Sequence, residues 1–411
     1  AYDALHRLTG KTYSNGDPTI SYFYDQTSYN GLTITNGKGR RTGMSDAAGA
    51  EAWSFNALGQ VLTSRRTTNG VSKNFTYTYN LGGAVTSLAY PTGLTLTYLY
   101  DSAGRALSVS DGTTTYASAA SYEPHGALRA LTNGASIVST YFYNNRLQPC
   151  RISVKNSGAA PANCADATNI GNVLDFGYGF TDGQGQNNGN VVSIANNRDT
   201  NRSQSFTYDE LNRIKTAQTQ AASGAHDWGP SFGYDIWANL LSATVTKGND
   251  VPMLSQSVAT NNRLSGYSYD AAGNLLSDGS FSYTWDAESR MKSGAGVTYT
   301  YDGDGRRVKK SNGKLYWYGP GLDALLETDL AGNSPGEYIF FGGKRVARRQ
   351  SSGTVNYYFS DHLGSSRVVA SAAGAILDDS DFYPFGGERA VTSSSGNHYK
   401  FTGKERDAES G

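Results

Sequence analysis

Leu94-Thr95-Leu96-Thr97-Tyr98-Leu99-Tyr100-Asp101-Ser102-Ala103-Gly104-Arg105-Ala106-Leu107 holds one complete copy of the unit that recurs along this chain. It reads as an alternating strand ending in an aromatic, then Asp, two residues, Gly, a residue often Arg or Asn, and a second apolar strand. An Asp at a strand end folds its carboxylate back onto backbone N–H groups two residues on and starts a turn. Gly three residues later supplies the left-handed position of a type I turn followed by a bulge. Tyr-Asp-x-x-Gly is therefore a hairpin code.

Other clear copies are Tyr269-Asp270 to Gly273 and Tyr301-Asp302 to Gly305. Degenerate ones begin at Phe55, Tyr79, Tyr122, Tyr208 and Trp285, and further ones at Tyr2, Tyr24, Tyr143 and Tyr234. In the Tyr208 copy Asn212 replaces Gly, and Asn tolerates the same backbone region. In Phe75-Thr76-Tyr77-Thr78-Tyr79 the aromatics share one face and the threonines the other, as a period of two requires. An active site is not built this many times over, so the repeated Asp residues are read as structural.

Composition agrees. The 411 residues include 49 Gly and 29 Tyr but only 3 Met, and good helix formers never run together for long. The chain is expected to be all-β, a long antiparallel strip of hairpins with roughly 30–40 strands. Open twisted sheets of more than about 10 strands curl. The strip is expected to wind into a tube or shell too wide for side chains to fill.

Lys plus Arg and Asp plus Glu number 35 each, so charge gives no reason to expect nucleic acid or an anionic membrane as partner. No apolar run approaches the roughly 18 residues of a membrane-spanning helix. The chain opens inside a repeat at Ala1-Tyr2-Asp3, as a piece of something longer would. Cys150 and Cys164 stand at the feet of one polar, Gly/Pro-containing loop. A disulfide there is expected, which implies an oxidising compartment; the alternative is two free thiols in a cytosolic protein.

The repeats resemble the YD repeats of RHS proteins, of bacterial Tc toxin shell subunits and of teneurins. Four ordered blocks strengthen the likeness to the RHS-associated core. They are Phe341 to Ala347; Tyr357 to Arg367, which carries Asp361, His362, Leu363, Gly364, Ser365 and Arg367; Tyr383-Pro384-Phe385-Gly386; and Phe401 to Asp407, which carries Gly403, Lys404 and Glu405. On this likeness residues 1–332 form a YD/RHS repeat array with a loop insertion at about 148–190, and residues 333–411 an RHS-associated core. The resemblance implies a spiral β-shell, secreted or at a bacterial cell surface, that encloses a variable C-terminal toxin. It also implies self-cleavage by an aspartyl-protease-like site, whose residues would follow Gly411. No catalytic, metal or cofactor residue is assigned within the chain, and no cofactor is expected.

Other candidate chemistry yields to simpler readings. Asp361, His362 and Ser365 suggest a hydrolase triad but crowd one turn, whereas triads gather residues from separate elements; Asp361 to Gly364 keeps the turn spacing. Asp302-Gly303-Asp304-Gly305 begins like a calcium loop, yet Arg306 stands where a further ligand belongs. Asp378-Asp379-Ser380-Asp381 reads as a solvated turn ahead of a calcium site. The glycine-rich stretch 177–190 reads as a long surface loop, without a Gly-Lys-Ser/Thr phosphate signature. The leading function is a non-enzymatic casing for its own flanking sequence or a C-terminal cargo, or an extracellular tube. The alternative is an adhesion module that binds carbohydrate or a cell surface. Raw strand edges at both ends of the strip also suggest head-to-tail self-association.

Overall fold

The computed structural model describes residues 1–248, 251–333 and 336–411. Those residues form 36 strands and three short 3₁₀ turns, so the chain is nearly all-β, in long antiparallel sheets. It divides into two compact units. One contains Ala1–Tyr116, Tyr267–Val355 and Ala408–Gly411; the other contains Ala117–Gly266 and Asn356–Asp407.

The first unit contains two runs of up-and-down strands. In the earlier run each strand pairs antiparallel with the next, from Ile20–Tyr24 through Arg41–Asp46, Gly49–Phe55, Val61–Thr68, Val71–Tyr79, Val85–Ala89 and Thr95–Tyr100 to Ala106–Ser110. The later run proceeds likewise from Met291–Gly294 to Lys344–Gln350. The two runs are joined by buried hydrogen bonds from Tyr22 Oη to the Gly303 carbonyl (2.6 Å) and from Tyr90 Oη to the Tyr338 carbonyl (2.7 Å). Ile20, Tyr22, Met44, Trp53 and Phe55 form an apolar core beside the first contact.

The second unit repeats the plan. One run goes from Leu128–Asn133 to Leu240–Gly248. The other joins Ser366–Ser371, Ile376–Phe382 and Glu388–Ser393. Trp228, fully buried, meets Tyr383 edge-on at 4.8 Å between ring centroids. Within 148–190 lie the strands Pro149–Lys155 and Leu174–Gly179, separated by an irregular loop.

The turn code takes the geometry its chemistry requires. In the Asp101 turn the Gly104 amide donates to the Asp101 carbonyl (3.0 Å) and the Asp101 amide to the Arg105 carbonyl (2.9 Å). Asp101 Oδ1 accepts from the amides of Ala103 and Arg105, and Oδ2 from Arg105 Nε at 2.8 Å. The Arg105 amide, followed by its guanidinium, holds the Asp101 carboxyl below the usual carboxylate range. Gly104 has φ +77°, and the ladder register shifts at Leu99/Tyr100, which is the bulge. Asp302–Arg306 and Asp209–Arg213 repeat the lock. Asp270–Asn274 and Asp235–Asn239 repeat it with an amide in place of guanidinium. Asn212 occupies the left-handed position with φ +60°. The copy at Tyr24 departs: the Asp25 amide pairs with the Arg40 carbonyl, and the insertion carries the small hairpin Ser28–Tyr29/Leu32–Thr33.

Two expectations are corrected. Asp378 to Asp381 is no solvated turn; it lies within the buried strand Ile376–Phe382, where its carboxylates meet arginines and amides. The surface loop expected over 177–190 begins only after Gly179. Phe176 and Tyr178 alternate into the core and carry the strand Leu174–Gly179 that far.

Candidate functional site

The repeats are chained by a contact that no single copy reveals. The turn aromatic donates to the backbone carbonyl five residues after the Asp, or its Asn equivalent, of the preceding turn. Tyr79 reaches Val61 (2.8 Å), Tyr100 reaches Val85 (2.7 Å), Tyr234 reaches Ile214 (2.8 Å), Tyr301 reaches Met291 (2.9 Å) and Tyr318 reaches Arg307 (2.8 Å). Where the lock uses Arg, that guanidinium also covers the next aromatic: Arg213 over Tyr234 (4.6 Å) and Arg290 over Tyr301 (5.1 Å). In those repeats Asp, Arg and the next Tyr form one relay of contacts. The even spacing of aromatic and Asp was the available signal; the partner in the preceding copy was not.

In the second unit, the later motif blocks converge. Asp361 starts a turn of the same kind: Oδ1 accepts from the Leu363 and Ser365 amides (3.0 and 2.9 Å), and the Gly364 amide donates to the Asp361 carbonyl (3.1 Å). Ser365 Oγ accepts from the Thr402 amide (3.1 Å), and the Ser366 amide donates to the Lys400 carbonyl (3.0 Å). The block containing Gly403 is thereby tied to the block containing Asp361. Gly403 has φ +70°, the exposed Lys404 continues its turn, and Glu405 pairs with Tyr399 across a short bridge. The turn Tyr383-Pro384-Phe385-Gly386 is closed by the Gly386 amide on the Tyr383 carbonyl (3.1 Å). The Phe401 ring lies so close that a Cβ on Gly386 would come within 2.8 Å of it.

A chain of ion pairs runs beneath these turns. Arg367 contacts Asp361 (3.5 Å) and Asp381 (2.6 Å); Arg202 contacts Asp381 (2.7 Å) and Asp379 (2.6 Å); Arg198 contacts Asp379 (3.2 Å). Arg202, Arg367, Asp361, Asp379 and Asp381 are all buried. Burial works against the charge on Asp379, and Arg202 more than offsets it, so this carboxyl sits below its usual range.

Above the network lies a pocket of about 180 Å³ lined by Phe206, Tyr208, His362, Phe382, Phe385 and Phe401 among others. His362 packs edge-on against Tyr178 at 4.6 Å, and its amide donates to Tyr178 Oη (3.3 Å). Burial, aided by Arg367 and opposed by Asp361, lowers its pKa and favours neutral imidazole. Asp361 Oδ1 and Ser365 Oγ accept from turn amides, Asp361 Oδ2 faces Arg367, and His362 lies edge-on to Tyr178. These contacts build a turn.

Elsewhere, Cys150 and Cys164 are joined as a disulfide, with 5.7 Å between Cα atoms. Beside it the buried Arg151 pairs with Asp175 (2.8 Å) and donates to the carbonyls of Asn163 and Asp166. The loop is therefore held both covalently and by one guanidinium. Tyr269 ends the short strand Ser268–Tyr269, and Gly273 and Gly305 take φ +96° and +87° in their turns. Among the described residues, no group of three or more His, Cys, Asp or Glu side chains is arranged to hold a metal ion.

Locked hairpins in long antiparallel sheets define the class of fold. The chain superposes over 95–100% of its length on solved structures. The structure described as TcdB2-TccC3-TEV matches with a TM-score of 0.75 and 18% identity, covering 100% of this chain and 25% of that one. TcdB2-TccC3 without its hypervariable C-terminal region matches with a TM-score of 0.76 and 17% identity, covering 99% and 25%. A Photorhabdus luminescens Tc holotoxin pore with a mutation in TccC3 matches with a TM-score of 0.72 and 18% identity, covering 95% and 24%. The chain spans about a quarter of the length of these solved chains. No family model matches the sequence, and no curated protein matches it.

Proposed function

We propose that this chain is a stretch of an RHS-type YD-repeat shell, a non-enzymatic casing that encloses a polypeptide C-terminal to it. The observation that carries this reading is the match, over 95–100% of this chain, to the TcdB2-TccC3 and Tc holotoxin structures at TM-scores above 0.7. One of those structures is described by the loss of a hypervariable C-terminal region. The hairpin locks supply a physical reason. The turns are closed by their own Asp carboxylate or Asn amide oxygen, and Tyr hydroxyls bond successive repeats, so the sheet can extend without a separate core for each hairpin. In this reading 1–332 is the repeat array and 333–411 the associated core, and the protein works outside the bacterial cell, where the Cys150–Cys164 disulfide persists. In this reading a self-cleavage site of the RHS kind would lie beyond Gly411. Electron microscopy of the full-length protein, combined with protease treatment, tests it. A hollow particle whose C-terminal polypeptide is digested only after denaturant is expected; a solid particle or an immediately digested polypeptide would overturn the reading.

A second reading, adhesion, rests on one cleft. Asp182, Gln184, Asn188, Asn190, Asn212 and Tyr208 are among the residues lining a cavity of about 560 Å³ in the second unit. Amides and carboxylates beside an aromatic face are chemistry suited to a neutral saccharide. A glycan array probed with the protein and with Asn212→Ala decides it: binding lost in the variant supports adhesion, and no binding removes it.

A further inference from the structure

The tail segment 408–411 belongs to the first unit, and one side chain holds it there. Glu409 Oε1 accepts from Tyr299 Oη at 2.9 Å, and its carboxylate meets Lys310 Nζ at 2.7 Å. The Lys310 and Glu409 side chains are only 5% and 10% exposed, so this is a buried ion pair and not a surface contact.

The strand register explains why an acid is needed at this place. Tyr299 and Lys310 are directly opposite one another on the antiparallel strands Val297–Tyr301 and Arg307–Lys310, so their side chains share a face about 5 Å apart. Lys310 is in turn directly opposite Lys314 across the next hairpin. Like charges directly opposite are unfavourable, and a buried ammonium requires an anion. Lys314 has Glu327 at 3.3 Å. Lys310 has Glu409, supplied by a segment about 100 residues further along the chain. Burial acts to raise the Glu409 carboxyl pKa, and Lys310 and Tyr299 more than reverse that, so it is held below its ordinary value.

We propose that Tyr299 and Lys310 form a carboxylate clasp that retains the chain's own tail, with Glu409 as its ligand. The clasp fixes the main chain at 408–411 on the face of the strands Val297–Tyr301 and Arg307–Lys310. Any polypeptide continuing from Gly411 starts from that face. The clasp itself does not depend on the casing reading, which would only give it a purpose.

Hydrogen exchange by mass spectrometry on the full chain tests the clasp. Glu409→Gln should speed exchange of the tail amides by about tenfold or more, because the local opening is no longer opposed by the ion pair. Lys310→Met should do the same. Combining the two should give no further acceleration, since both remove one contact. The double variant should also recover thermal stability relative to Glu409→Gln, because methionine removes the ammonium that has lost its Glu409 contact. Tyr299→Phe removes one donor and should give an intermediate rate, which covers the case in which Lys310→Met does not fold. Tail exchange in Glu409→Gln within about twofold of the parent, or multiplicative effects in the double variant, would overturn the proposal.

Discussion

The Tyr100 hydroxyl donates to the Val85 carbonyl at 2.7 Å, across the boundary between one hairpin repeat and the next. The bond is half-buried and recurs from repeat to repeat, so it is a joint of the strip. Tyr100→Phe keeps the ring and removes only the donor. It should lower stability by about 0.5–1.5 kcal/mol, the usual net value of one such bond. Tyr2, 70% exposed, is the control: Tyr2→Phe should change stability by less than about 0.5 kcal/mol. Equal values in urea unfolding would show that the hydroxyl is not a joint.

Gly104 tests the turn code separately from packing. Its φ is +77°, and a Cβ built there would meet no atom within 4 Å. The cost of adding a Cβ there is therefore backbone strain and not a clash. Gly104→Val should destabilise by about 1–2 kcal/mol or more, since a β-branched residue resists positive φ. Gly104→Asn should cost less, because Asn tolerates the left-handed region, as Asn212 does in its own turn. Ser102→Ala should stay within about 0.5 kcal/mol. A valine variant as stable as the asparagine variant would contradict this account.

These two residues also show how far sequence reasoning reached. Asp and Gly of the turn act within five residues of each other, so their roles follow from local chemistry and spacing. The residue after Gly was noted as Arg or Asn, but its task of gripping the Asp carboxylate and covering the next Tyr involves another repeat. The acidic run 378–381 reads as a solvated turn from sequence for the same reason, although it lies in a buried strand. Arg202, which neutralises Asp379 and Asp381, lies 177 and 179 residues away. Nothing local distinguishes a buried acidic strand from a solvated acidic turn. The motif blocks around Asp361, Tyr383 and Gly403 were recognisable as a set, whereas their convergence on one pocket required the fold.

The Cys150–Cys164 bond closes a loop with a sequence separation of 14. Loops of that size gain roughly 3 kcal/mol from a disulfide in the chain-entropy model. Arg151 and Asp175 still organise the loop after reduction, so reductant should lower the melting temperature without unfolding the unit at room temperature. Alkylation of the unreduced protein followed by intact-mass measurement should find no added groups; two would show free thiols.

Asp381 accepts from both Arg202 and Arg367 in a buried setting. Removing its charge leaves two guanidinium groups short of an anion. Asp381→Asn should cost about 3 kcal/mol or more, as expected when a buried pair is broken on one side. Lys11 and Glu288 form a contact of similar length with about a third of each side chain exposed, and Lys11→Met should cost less than about 1 kcal/mol. Chemical denaturation of the two variants compares them directly. Comparable losses would mean that the network is solvated.

Glu51 makes the first unit sensitive to pH. It is buried in the strand Gly49–Phe55, directly opposite Arg66, with Arg306 at 2.7 Å. Burial outweighs the pull of Arg306 and Arg66, and Asp302 and Asp304 add to it, so the carboxyl is pushed up to about 7 from 4.5. Between those two values the folded protein binds more proton at this site than the unfolded chain does. Stability from this group is therefore fully present below about pH 4.5 and is lost as pH rises through about 7. Other carboxylates, such as Asp304 and Asp379, have lowered pKa values and act in the opposite sense, so the total profile mixes both. Glu51→Gln isolates the effect, because the amide cannot titrate. From about pH 5 to pH 8 the parent should lose stability relative to the variant by an amount on the order of 1–3 kcal/mol, with no further change above that range. A difference that stays constant with pH, or that grows in the parent's favour, would show that Glu51 is ionised throughout and held by Arg306.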